Sequence, residues 1–503
     1  MGTASSLIVR TAQGTLQGGV ENGVRVFRGV PYGRVSAALR FCAPKPPAAW
    51  SGDRLAVAAG PICPQNDDDG VGAYLAFAQD EDCLNLSIWA PQAPGPHPVL
   101  VWFHGGAFVT GTGALSLYDG STLAREQNIV VVSVNYRLGV LGWPPFQVRG
   151  ASVSNNLGLL DCVAALQWLR ANIAAFGGDP DNVTQSGQSA GAMISAMLGL
   201  VPQARGLFAK AAPMSLQTLV ALEPERQARY TRAILTALDL GPEDMDKLAA
   251  APVAALLKAQ WQVRQAAMSA VDTVEQLRWP FMPNVDGILF TGDPANEMAA
   301  LRRTWPLLTG ATAEELVVTP LQLAANPTAA QLSTRAATLA GLARLFDAAA
   351  AERIWRVYAE AYPAASESEL SGLIATDKDY RIPALRLAEA PTAQADAFTY
   401  TFTYRGRGPY YPNAHHALDL PFWFGTLREP RYAGFFLGGD ATEAELALSR
   451  KMRDALGAFM RSGDPGWPAY RTGMRETMIF GLPGGAARDP QGSTRAVWEG
   501  LIP

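Results

Sequence analysis

Two short stretches carry the residue types of acyl-transfer chemistry. Gly187-Gln188-Ser189-Ala190-Gly191 is a G-x-S-x-G, and His104-Gly105-Gly106-Ala107-Phe108 sets two adjacent glycines behind an apolar run. Glycines at both ends of the first motif permit a sharp strand-to-helix turn that lifts the serine hydroxyl above a sheet. Taken alone, the pentapeptide also fits a glycine-rich turn around a buried serine. Its position between a strand-like and a helix-like segment favours the nucleophile. A serine nucleophile needs backbone N–H groups aimed at the developing oxyanion. Ala190, the residue after the serine, supplies one, and a loop after an earlier strand supplies the others. Gly105 and Gly106 suit that loop because no Cβ stands in front of their amides.

The hydroxyl also needs a base, and the base an orienting carboxylate. The chain has four histidines, His97, His104, His415 and His416. His97 lies in the proline-rich loop Pro94–Pro98, and His104 belongs to the Gly-Gly segment. In this arrangement the chain order is Ser, then Asp or Glu, then His. That leaves His415 and His416, and spacing does not choose between them. Between Ser189 and these histidines, Trp305–Gly310 reads as a short strand followed by Glu314 and Glu315. Either could orient the base, or simply favour a helix N-terminus. The pair stays open at this level.

The elements that must position these groups alternate. Val99–Phe103 and Ile129–Val134 are short apolar runs suited to strands buried on both faces. Asp161–Phe176 reads as an amphipathic helix stopped by Gly177-Gly178, Asn182–Ser186 as a strand, and Ala190–Leu200 as a helix. Phe398–Tyr404 is strand-like ahead of the two histidines. Strands alternating with helices predict an α/β fold with a mostly parallel sheet. Ala324–Ala395 is alanine-rich and predicts packed surface helices. Asp67-Asp68-Asp69 predicts a solvated loop.

Composition narrows the classes. Of 503 residues, 49% are hydrophobic and 17% charged, which excludes a disordered chain or a coiled coil. Forty-one Lys plus Arg against 45 Asp plus Glu give a net charge of −4, with no basic excess for a nucleic-acid backbone. No histidine pair stands at metal-ligand spacing with a third donor, so no metal and no cofactor are expected. The N-terminus lacks a basic segment followed by a long apolar one, and no run has the ~18 apolar residues of a membrane span. The expectation is a cytoplasmic protein without a membrane partner, or a periplasmic or secreted one whose leader has been removed. Length alone predicts about three domains, whereas the spread of motifs predicts one continuous domain over residues 1–503.

The motifs together resemble the type-B carboxylesterases, an α/β-hydrolase family that includes the cholinesterases and bacterial para-nitrobenzyl esterases. The resemblance runs through Phe27–Tyr32, Arg40-Phe41, Cys63-Pro64-Gln65, Glu81–Leu84 and His104–Phe108. It continues through Asn135–Leu138, Asn156–Asp161, Phe176–Thr184 and Gly463–Pro465. It implies a central sheet flanked by helices, with helical insertions forming a substrate gorge. It also implies Glu315 as the acid, with Glu314 before it, and His416 as the base opening an H-x-x-D-L-P-F pattern with Asp419. Gly105, Gly106 and Ala190 take the oxyanion role. Cys63 and Cys83 match cysteines that are paired in secreted members, where a loop of about 20 residues would constrain the unfolded chain by about 3 kcal/mol. Cys42 and Cys162 read as small buried hydrophobes.

Departures bear on substrate. The family's glutamate before the nucleophile is Gln188 here, which lowers the negative potential and disfavours cationic esters. The Cys63–Cys83 loop holds Tyr74 and Phe77 but no tryptophan, the cation-stacking residue of cholinesterases. Ser215 keeps the family's serine and would support Glu315, while Leu216 replaces glycine and would narrow the acyl pocket. Phe108, Phe422 and Trp423 are candidate pocket walls. The expected function is hydrolysis of small neutral or anionic carboxylic esters through an acyl-enzyme. The alternatives are an amidase or carbamate hydrolase with the same triad, and a non-catalytic adhesion-type relative.

Overall fold

Val130–Val134 is buried at every position and rich in β-branched side chains, the composition of a strand covered on both faces. Its neighbours share that character, and an extended α/β sheet follows. The computed structural model describes residues 7–66, 76–147, 154–269, 279–325, 331, 333–390, 395–408 and 412–502. Asp67–Asp69 and Tyr74 fall outside the described residues. The chain forms two compact units and passes back and forth between them. The first comprises Met1–Leu115, Leu123–Ala209 and Leu219–Glu297; the second comprises Ser116–Thr122, Lys210–Thr218 and Met298–Pro503.

In the first unit the strands are β1 (Leu7–Arg10), β2 (Thr15–Glu21), β3 (Val24–Pro31), β4 (Asp53–Leu55), β5 (Asn85–Ala90), β6 (His97–Phe103), β7 (Val130–Val134) and β8 (Gly178–Gln188). Their order is β1-β2-β3-β5-β7-β6-β8, with β4 beside β2. The inner pairs β6·β7 and β6·β8 are parallel, and the pairs towards β1 are antiparallel. Helix α1 (Leu157–Asn172) continues into a 3₁₀ turn that ends at Gly177, whose φ of 83° is left-handed. Leu157–Phe176 has the length and hydropathy to cross a membrane, yet it is mostly buried, packing on β8 and on α2 (Ala190–Leu198) as a core helix does. Gly191 in the first turn of α2 is required by space: a Cβ there would sit 1.9 Å from the carbonyl oxygen of Phe103.

The second unit has β9 (Lys210–Met214), β10 (Leu307–Thr312), β11 (Ala397–Phe402), β12 (Glu476–Phe480) and β13 (Gly485–Arg488) in that order. β9 to β12 are parallel and β13 closes the edge antiparallel. Its helices include α3 (Glu367–Thr376), α4 (Ile382–Glu389), α5 (Leu420–Phe424) and α6 (Glu443–Ser462). The alanine-rich region is helical as expected but is not all surface. Between α3 and α4, the charged run Asp377–Arg381 is buried as a π-helical turn.

Strand β7 leads into Arg137, whose guanidinium makes two hydrogen bonds (2.7 and 2.8 Å) to the carboxylate of Asp161 on α1. Both side chains are buried. Removing one partner of a buried ion pair leaves an uncompensated charge and costs about 3–5 kcal/mol. Arg137→Ala is therefore expected to lower the unfolding free energy by about that amount in urea titration. A double Arg137→Met, Asp161→Leu variant is expected to recover part of the loss, and equal loss in both would contradict the pairing argument.

Candidate active site

The first unit carries the serine. Ser189 sits between β8 and α2 with φ 58° and ψ −123°, a region that non-glycine residues rarely occupy. The strain follows from the chain reversing at the end of a buried strand with α2 pressed on β6 through Gly191. Ala190 opens α2, and amides of a first helical turn have no intrahelical acceptor. The loop after β6 runs alongside. A Cβ placed on Gly105 would lie 3.2 Å from Cβ of Ser189 and 2.9 Å from the backbone oxygen of Gln188. Glycine at 105 thus brings a peptide against the serine. Ala107 and Phe108 follow with φ of 56° and 63°.

That loop is held from two sides by residues the sequence reading did not single out. Tyr136 donates its hydroxyl proton to the His104 carbonyl at 2.6 Å and stacks on the His104 ring at 4.4 Å. Burial pushes the His104 imidazole down to about 4, and its Nδ1 bonds the Gly105 carbonyl at 2.7 Å. A neutral ring thus supplies a fixed N–H donor. Gln65 accepts from the Gly111 amide at 2.7 Å and donates to the Gly111 carbonyl at 3.0 Å. Both residues stood in recognised motifs, which were the signal available. The side-chain amide of Gln188, the residue before the serine, has its Oε1 2.9 Å from where a Cβ on Gly105 would stand.

The second unit carries the histidine and the acid. β10 ends at Thr312, whose amide donates to Glu315 Oε1 at 2.7 Å. Glu315 Oε2 meets His416 Nδ1 at 2.5 Å, with the glutamate side chain wholly buried and the imidazole partly exposed. Its neighbour Glu314 points elsewhere. Glu314 Oε2 accepts from the Ala414 amide at 2.8 Å, while the Glu314 amide donates to the Ala414 carbonyl at 3.0 Å. Arg405 closes the clamp with two bonds of 2.5 and 3.0 Å to the Glu314 carboxylate. The two adjacent glutamates therefore divide the work: one meets the imidazole, and the other ties the two loops together. His415 stacks on Phe436 and bonds the His416 carbonyl through Nδ1 at 2.7 Å. Burial pushes His415 down to about 4, so it is a neutral donor to that carbonyl.

Other expected site residues are placed differently. The Ser215 hydroxyl is buried and makes no hydrogen bond to Glu315; it has no partner among the described residues. Phe422 packs on Phe402 and Tyr404, and Trp423 on Tyr400 and Phe480. Both are fully buried, their faces occupied by other aromatic rings. They are core, not pocket walls. Phe108 is buried edge-on against Trp143, and Leu216 is buried as well. A narrow cleft is lined by Thr309, Thr399, Thr477, Arg381, Tyr470 and Arg475 among others, and by none of these four. Cys63 and Cys83 are free thiols. The hydrogen bond with Cys63, then burial, pushes the Cys83 thiol well up.

Mostly parallel sheets flanked by helices, with a serine in a strained turn between a strand and a helix, are the features of the α/β-hydrolase class. The model of the carboxylesterase family matches residues 5–480, and the chain belongs to that family. It is 37% identical over 500 residues to the para-nitrobenzyl esterase of Bacillus subtilis (strain 168), covering 97% of each chain. It is 31% identical over 503 residues to the phenmedipham hydrolase of Pseudarthrobacter oxydans, covering 96% of this chain and 97% of that one. Among solved structures it is similar to a thermophilic PNB esterase, with a TM-score of 0.84, 34% identity, and coverage of 98% of this chain and all of that one. The protein is a carboxylic ester hydrolase with the α/β-hydrolase fold.

Asp419 adds a second buried carboxyl beside this arrangement. Its Oδ2 accepts from Tyr400 and Trp423, both at 3.2 Å, and Oδ1 has no partner among the described residues. Burial first, then the charge of Glu315, pushes its carboxyl from the ordinary 3.8 up to about 7. A folded-state value above the unfolded one favours the protonated form, so this contribution to stability is full below pH ~4 and fades as pH rises through 7. Asp419→Asn is expected to flatten the decline in urea midpoint between pH 5 and 8 and to exceed the wild type at pH 8. An unchanged slope would contradict the assignment.

Proposed function

We propose that the chain works as one α/β-hydrolase domain that cleaves carboxylic esters with Ser189 as nucleophile, His416 as base and Glu315 as the acid that holds it. The observation that carries this reading is the 2.5 Å contact of Glu315 Oε2 with His416 Nδ1. It fixes the tautomer that leaves Nε2 unprotonated and ready to take the serine proton. Ser189 attacks the ester carbonyl, its proton passes to His416, and the carbonyl oxygen becomes an oxyanion. The amides of Gly105, Gly106 and Ala190 receive that charge. Collapse of the tetrahedral intermediate expels the alcohol, which leaves with the proton from His416. Water then enters, gives its proton to His416 and releases the carboxylic acid by the same sequence. Glu315 holds the imidazole and stabilises the imidazolium that forms.

The roles predict a graded series. Ser189→Ala and His416→Ala are each expected to lower kcat by at least ~10⁴-fold, and Glu315→Gln by a similar factor. His415→Ala removes a donor to a backbone carbonyl and a ring stacked on Phe436, and is expected to cost a few-fold. Steady-state kinetics on a p-nitrophenyl ester checks the series, with folding followed by circular dichroism. A fluorophosphonate is expected to label Ser189, as read by peptide mass mapping. Label elsewhere, or equal losses in the two histidine variants, would overturn the assignment. Matched ester and amide substrates decide the amidase alternative, for which kcat/KM on the amide would equal or exceed that on the ester.

The neutral Gln188 supports a preference for neutral or anionic esters. A carboxylate in its place would interact with a bound cation by a few kcal/mol at short range. Gln188→Glu is expected to raise kcat/KM for a choline ester roughly tenfold relative to its uncharged isostere. No change in that ratio would remove Gln188 as a determinant.

A further inference from the structure

We propose that Tyr380 is a positioning residue for the His416 imidazole, held in place by Gln217 and by the π-helical turn on which it sits. The inference rests on the reading of His416 as the base.

The turn has a local cause. Helix α3 ends at Thr376, and Pro383 follows as the second residue of α4. Proline has no N–H, and its ring crowds the carbonyl four residues earlier, here that of Asp379. The backbone answers by inserting one residue: Ile382 donates to the Asp377 carbonyl, an i to i−5 bond. The Asp379 carbonyl turns outward and accepts from the Thr218 amide at 3.0 Å, and the Lys378 carbonyl accepts from the Thr218 hydroxyl at 3.3 Å. Single π turns of this kind cluster at functional sites.

Docking the turn on Thr218 brings the preceding residue within reach. Gln217 Nε2 donates to the Tyr380 hydroxyl at 2.7 Å. The Tyr380 ring then lies 5.1 Å from the His416 ring, tilted by 54°. That separation is within the range of productive aromatic contact. The tyrosine is buried, so the contact is not a transient surface one.

The turn is also locked beneath. Arg381 makes two bonds, of 2.5 and 2.6 Å, to the Asp377 carboxylate, and a third of 3.0 Å to Thr494. Tyr358 donates to Asp377 and is itself fixed by Trp498 Nε1 at 3.0 Å. A buried ion pair is a poor way to gain stability, and its best-attested use is to fix a conformation. Here the conformation fixed is the one that sets Tyr380 against the imidazole. The Glu315 bond restrains one edge of the His416 ring, and Tyr380 restrains rotation of its plane.

Tyr380→Leu keeps apolar volume and removes the ring; Tyr380→Phe keeps the ring and removes the anchor. The expected result is a kcat about 10–30-fold lower in Tyr380→Leu with KM within twofold, and a kcat within threefold of wild type in Tyr380→Phe. The fluorophosphonate inactivation rate is expected to fall in parallel with kcat, because it too needs the proton taken from Ser189. Gln217→Leu, which leaves the core intact, is expected to lie between the two and serves if Tyr380→Leu does not fold. A wild-type kcat in Tyr380→Leu, a loss confined to KM, or equal kcat losses in the Phe and Leu variants would overturn the proposal. His416→Ala, assayed alongside, separates the two levels. If that variant turns over normally, the base assignment falls and this inference with it; if it is dead while Tyr380→Leu is unimpaired, only the positioning role falls.

Discussion

A carboxylate removed from water must find donors, and in the second unit Glu315 is that carboxylate. Its side chain is wholly buried, and its two oxygens meet the Thr312 amide and the His416 imidazole. An ionised carboxyl left unpaired in such surroundings would be costly enough to unfold the region or to take up a proton. The surrounding structure follows from meeting that demand. β10 ends where its last amide faces Oε1. The Glu314–Ala414 clamp keeps the histidine loop from drifting away from Oε2. Arg405, largely exposed, satisfies Glu314 at the rim. Asp419, a second acid in the same interior, cannot share these donors, and its carboxyl rises towards neutrality instead.

The first unit obeys a different constraint, one of space. The strain at Ser189 persists because α2 can approach β6 only through Gly191, and the loop after β6 can lie beside the serine only through Gly105. Backbone is thereby set against backbone, with no side chain between. Tyr136 and Gln65 then secure the loop through its carbonyls and one amide, leaving its shape independent of solvent-exposed contacts.

Legibility in the sequence tracked how local each cause was. The strands β6, β7 and β8, the turn at Ser189 and helix α2 were readable because apolar runs and glycine spacing determine them within a few residues. The choices between Glu314 and Glu315, and between His415 and His416, were not readable from spacing. Adjacent residues in a loop differ only in which way they face, and resemblance alone separated them. The geometry now separates them by partner. Phe422 and Trp423 were misread as pocket walls, since an aromatic next to a catalytic motif looks the same whether its faces meet substrate or Phe402, Tyr404, Tyr400 and Phe480. The buried run Asp377–Arg381 was hidden for the opposite reason: charged residues in an alanine-rich helical stretch look solvated, and neither the pairing of Arg381 with Asp377 inside the run nor the contacts with Tyr358 and Thr494 outside it show in the sequence.

The interleaving of the two units also limits how the chain can be divided. β9, the first strand of the second unit, is encoded between two segments of the first unit. No single cut therefore releases the second unit entire. A fragment beginning near Met298 would retain β10 to β13 but present β10 with its β9 edge unpaired, an all-buried strand with exposed hydrogen-bonding groups and a ready template for association. The same holds during synthesis at the ribosome. β9 emerges well before β10, so its β10-facing edge stays open for about ninety residues' worth of translation.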